Sequence, residues 1–191
     1  MFRLAKPSRE TILNFIAAQR TEEFSYAEVG CSRGTAPTGY TADHNRLKLG
    51  EGLAVSEKAK AAIRQWQPFD IPWITLCWTD APIAVGTAVA VLAAHLGFWS
   101  LNPCRIVYVL DEKQPVTRYG FAYGTLPQHA AIGEERFTVE FHPDDQSVWY
   151  DIYALSRPSF LARLAYPYTR VLQKRFATDS IAAMLRSVST P

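Results

Sequence analysis

Three stretches, TRYGFAYGT (117–125), EERFTVEFH (134–142) and SVWYDIYAL (147–155), alternate apolar and polar residues with a period of two. That period belongs to half-buried strands, and breaker-rich turns at 126–133 and 143–146 join the three into an antiparallel meander. Centring the first hairpin on His129 sets Tyr123 opposite Glu135, Phe121 opposite Phe137 and Tyr119 opposite Val139. Centring the second between Asp144 and Asp145 sets Phe141 opposite Val148, Val139 opposite Tyr150 and Phe137 opposite Ile152. Both registers have the same parity, so one face carries Tyr119, Phe121, Tyr123, Glu135, Phe137, Val139, Phe141, Val148, Tyr150 and Ile152. The other carries Arg118, Glu134, Arg136, Glu140, Trp149, Asp151 and Tyr153 and is read as solvated.

A sheet with one apolar face must be covered, and the rest of the chain supplies helices to cover it. Ser8 caps a first helix with Ile12, Phe15 and Ile16 at helical spacing. A second holds Val55, Ala59, Ala62, Ile63 and Trp66 on one stripe and ends near Pro68. Between them, 21–52 reads as loop with one strand around 24–29. Strand candidates at 73–78, 86–94 and 104–111 precede the meander. A long closing helix spans 158–187, kinked at Pro167 and restarted at Thr178 or Asp179. This order predicts an α+β fold of the helix-grip type, START-like or Bet v 1-like, with a curved antiparallel meander wrapped on the C-terminal helix and an apolar cavity between them. One domain over 1–191 is expected.

The chain has 191 residues and is 48% hydrophobic, with a formal charge of +2, so no overall field calls for nucleic acid. Arg157, Arg163, Arg170, Lys174, Arg175 and Arg186 against Asp179 alone are read as a solvated helix face. Cys31, Cys77 and Cys104 are odd in number and far apart, which suits a reducing compartment. The N-terminal stretch lacks a signal peptide's apolar core, and 83–97 is shorter than the ~20 residues of a membrane helix. A cytoplasmic protein without membrane insertion is expected. His44, His95, His129 and His142 show no ligand spacing, so no metal is expected. GxSxG, GxxxxGK[ST] and GxGxxG are missing, and no cofactor is expected.

The runs YAEVG (26–30), LGEG (49–52), CRIVYVLDE (104–112), GFAYGTLPQHAAIGEERF (120–137) and SRP (156–158) resemble the signature of the DUF1990 family, also called UPF0548. The resemblance extends over nearly the whole chain. It brings no activity, cofactor or catalytic residue.

Function is therefore read from side-chain chemistry. Aromatic residues on a sheet face form core or line a cavity, and both readings stand for Tyr119, Phe121, Tyr123, Phe137, Phe141 and Tyr150. Glu135 among them must be neutralised, hydrogen-bonded or paired with an arginine such as Arg105 or Arg157. The first functional reading is a binding protein for a small apolar molecule, held by Tyr119, Phe121, Tyr123, Glu135, Phe137, Val139, Phe141, Tyr150 and Ile152. The second is an acid-base enzyme of cyclase, isomerase or hydrolase type using Glu135 or His129. In the third, outward Trp149 and Tyr153 form a partner surface or homodimer contact.

Overall fold

Both predicted hairpin registers are present. β6 (Thr117–Thr125) pairs with β7 (Ala131–Phe141), setting Tyr123 against Glu135 and Phe121 against Phe137. β7 pairs with β8 (Ser147–Pro158), setting Phe137 against Ile152. The protein is represented by a computed structural model, which describes residues 1–78, 80–158 and 166–189.

The remaining strands are β1 (Phe2–Arg3), β2 (Thr41–Glu51), β3 (Ile74–Cys77), β4 (Ala88–His95) and β5 (Phe98–Glu112). All eight form one antiparallel sheet in the order β2-β8-β7-β6-β5-β4-β3, with β1 paired to β5 off that path. A bulge in β5 between Ile106 and Tyr108 lets Ile106 point inward and Tyr108 outward although they are two residues apart. Bulges of this kind bend a strand and strengthen its twist. Gly120 is required where β6 meets β7, because a Cβ there would overlap the Phe137 carbonyl.

Among the described residues three α-helices complete the fold: α1 (Arg9–Gln19), α2 (Leu53–Arg64) and α3 (Tyr166–Ser189). Ser8 caps α1 by accepting from the Thr11 N–H at 3.2 Å. The inner face of the sheet receives Ala59, Ala62 and Ile63 of α2, the aromatic turn Trp66 and Phe69, and Ala177, Met184 and Val188 of α3. This is a helix-grip architecture, an antiparallel sheet closed by its C-terminal helix.

Several expectations change. The strand sought at 24–29 is irregular chain, while the strand of that region is β2, at the sheet edge beside β8. α1 covers the outer face, where Ile12, Phe15 and Ile16 meet Ala90, Leu92 and Leu101. β4 is thus buried on both faces, which its unbroken run AVAVLAA suits. α3 runs without interruption through Thr178 and Asp179, and the kink expected at Pro167 falls at the edge of the described residues. The expected helical start at 159–165 lies outside the described residues. Among the described residues no helix is long and apolar enough to cross a membrane.

Candidate functional site

The inner face divides in two. Over its α2 half, Phe121, Phe137, Val139 and Tyr150 are fully buried, with Trp66 4.9 Å from Phe121 and Phe69 5.3 Å from Phe137 between ring centroids. Over the other half, the first turns of α3 stand away from β4 to β8 and leave a cavity of about 1070 Å³. Of the nine residues expected to hold a ligand, Tyr123, Glu135 and Ile152 line this cavity. Tyr119, Phe121, Phe137, Val139, Phe141 and Tyr150 do not, because α2 and the Trp66–Phe69 turn cover that half and make it core. Trp73, Ile74, Val91, Phe98, Ile132 and Leu172 supply the apolar wall instead.

Glu135 points inward, as alternation requires. The Tyr123 hydroxyl donates to its Oε2 at 2.7 Å, and no basic partner to the carboxylate is found among the described residues. The two arginines considered as partners lie elsewhere: Arg105 donates to the Arg20 carbonyl, and Arg157 sits over Tyr40. Desolvation pushes the Glu135 carboxyl up to about 7, with the nearby negative charge of Asp43 adding to the rise and the Tyr123 bond opposing it. Tyr123 rises well above the ordinary tyrosine value through burial and the charge of Glu135, so it remains a donor.

His129 also lines the cavity, but burial pushes it down to about 4. Its Nδ1 lies 2.9 Å from both the N–H and the carbonyl oxygen of Ala131, and the imidazole stays neutral at physiological pH.

The first turns of α3 are held over the cavity by polar contacts. Arg170 grips the Asp43 carboxylate of β2 with both guanidinium nitrogens, Gln173 donates to Ser156 of β8 at 3.1 Å, and Tyr168 meets His95 of β4 at 3.2 Å. Arg170 was expected in solvent, but its partner on β2 makes it a clasp. Arg163 lies outside the described residues.

Glu134, assigned to the solvated face, is instead 2% exposed. The 20–40 segment folds over the outer face and brings the Tyr26 hydroxyl (2.7 Å), the Gly30 N–H (2.8 Å), the Ser32 N–H (3.0 Å) and the Ser32 hydroxyl to its carboxylate. Gly124 is needed beneath Tyr26, whose hydroxyl a Cβ would strike. YAEVG and GFAYGT are therefore two sides of one contact. A carboxylate satisfied by fixed donors anchors a loop.

On the outer face Trp149 and Tyr153 are half-buried. Arg46 lies over Trp149 at 4.2 Å and Arg136 over Tyr153 at 5.2 Å. Cys104 is fully buried with its thiol raised, and Cys31 is pushed up to about 11, so neither is poised as a nucleophile. Among the described residues no cluster of metal-ligating side chains occurs.

Residues 25–183 match the model for the domain of unknown function DUF1990, and the chain belongs to that family. It is 35% identical to a UPF0548 protein of Dictyostelium discoideum, covering 100% of this chain and 97% of the relative. It is also 35% identical to a UPF0548 protein of Deinococcus radiodurans, covering 98% of each. Among solved structures it is similar to Ara h 8.0201, at 12% identity over 78% of this chain and 98% of that one, with a TM-score of 0.48.

Proposed function

We propose that this DUF1990 protein binds a small, largely apolar molecule in the cavity between the sheet and the first turns of α3, with Glu135 and Tyr123 orienting its polar group. The observation that carries this reading is the inward Glu135 carboxyl, which has Tyr123 as its hydrogen-bond partner among the described residues and lies in a cavity of about 1070 Å³. That volume is at the upper end of small-molecule sites, which combine apolar walls with a few convergent polar groups. A half-buried carboxyl with spare acceptor capacity favours a guest that brings a donor, such as a hydroxyl or amine. A reducing, cytoplasmic setting suits the three free cysteines.

A second reading rests on the same residue. With its carboxyl at about 7, Glu135 can take up or release a proton near neutrality, as a general acid or base must. Native mass spectrometry of the purified chain tests the binding reading. A co-purified small molecule released on unfolding, and lost from Glu135→Ala, is the expected result. A chain that carries no adduct and takes none up from an apolar extract would count against it.

A further inference from the structure

A line of side chains along the cavity wall on β4, β5 and α3 takes no part in the Glu135 and Tyr123 pair. Asn102 Nδ2 lies 3.0 Å from Ser100 Oγ, Ser100 Oγ lies 3.2 Å from His95 Nε2, and His95 Nδ1 lies 3.2 Å from the Tyr168 hydroxyl. Strand pairing explains the meeting: β4 and β5 join in a hairpin in which Ala93 faces Ser100, so His95, Ser100 and Asn102 all project inward. Motif matching missed this because the serine sits on a strand, outside any GxSxG turn.

The direction of each hydrogen bond follows from one fixed point. The Ala130 N–H donates to Asn102 Oδ1 at 3.2 Å, which orients the amide and turns its NH₂ toward Ser100. The two NH₂ protons have three acceptors in reach, Ser100 Oγ at 3.0 Å, Val91 O at 3.2 Å and Ser100 O at 3.3 Å, and the shortest contact sets Ser100 Oγ as an acceptor with its own proton for His95 Nε2. His95 Nε2 must then be an acceptor, so Nδ1 carries the imidazole proton and donates it to Tyr168. Burial lowers the His95 pKa, which keeps this neutral form populated.

We infer that Ser100 is a nucleophile for acyl transfer, with His95 as its general base, acting on small esters of apolar acids or alcohols. The inference rests on the cavity-binding reading and deepens it. A nucleophile bonded to a base that a third group orients is the arrangement such chemistry needs. In the first step Ser100 Oγ bonds to the ester carbonyl carbon while its proton passes to His95 Nε2. The carbonyl oxygen becomes negative near the Asn102 NH₂, which turns to it from the Ser100 and Val91 oxygens that it holds in the resting chain. Collapse of the adduct breaks the bond to the alcohol oxygen, which leaves with the proton from His95. Water then attacks the acyl-Ser100 ester, giving its proton to His95, and release of the acid returns that proton to Ser100.

The full chain is treated with an alkyl fluorophosphonate and followed by intact mass and peptide mapping, while an environment-sensitive apolar fluorophore reports the cavity in parallel. One adduct per chain on Ser100 is expected. It should be missing from Ser100→Ala and form about 100-fold more slowly in His95→Gln, with the melting temperature of both variants recorded to confirm folding. No adduct, or an adduct elsewhere, on a chain that binds the fluorophore would overturn the inference and leave the cavity reading intact. A chain that binds no fluorophore would lose both.

Discussion

Glu134 and Glu135 are neighbours in the chain and lie on opposite faces of β7, so each has its own consequence. Glu134 satisfies four donors of the 20–40 segment, and Glu134→Ala strands them in a buried setting. We expect a loss of about 3 kcal/mol in urea unfolding together with early protease cleavage within 20–40. Loss of less than about 1 kcal/mol would contradict the anchoring role. Glu135 acts in the opposite sense. Its folded value of about 7 lies above the unfolded carboxylate value, so the folded state binds more protons than the unfolded state between about pH 4.5 and 7. Stability therefore falls as pH rises through that window, by at most about 3 kcal/mol, and the penalty persists above it. Glu135→Gln should flatten this slope, and parallel pH profiles of the variant and wild type would contradict it. The inward direction of Glu135 was legible from alternation alone. The burial of Glu134 was not, because the segment that covers it has no periodicity and its donors include two backbone N–H groups that carry no residue signature.

At the scale of elements, α3 has two unlike halves. From Ala177 onward it is tied into the core by Ala177, Ala183 and Met184, all buried, while its first turns are held by Arg170, Tyr168 and Gln173 across the cavity. Polar clasps over a cavity are weaker than core packing, so under the proposed binding function they would set how readily a guest leaves. Arg170→Met should raise the dissociation rate of a bound apolar fluorophore about fivefold, the size of ~1 kcal/mol, in stopped-flow displacement. An unchanged rate would remove the clasp from the account. The same half explains why β2 was hard to read. TADHNRLKLGE puts Asp43 and Asn45 on the inner side, opposite Ala154 and Ile152, and has apolar inner residues only toward its end, at Leu47 and Leu49, so it lacks the continuous apolar stripe of a core strand. The inner polar positions of β2 line the cavity. Where the sequence looked least like a strand, the site is being built.

For the whole molecule, the grip between sheet and helix encloses a cavity beside a filled core. The fold was legible because its apolar face has the same parity in two hairpins. Which half of that face stays open was not, since this depends on where α2 and the Trp66–Phe69 turn land, a long-range matter that residue spacing does not record. Ala154 offers a direct test: it faces the cavity on β8 opposite Glu135, so a tryptophan there fills space in the cavity without entering the packed aromatic cluster. The measurement is an equilibrium titration of an environment-sensitive apolar fluorophore into the wild type and Ala154→Trp, with melting curves for both. One saturable site per chain is expected in the wild type, and at least about tenfold weaker binding in a folded Ala154→Trp. Equal binding by both folded chains, or none by the wild type, would contradict it.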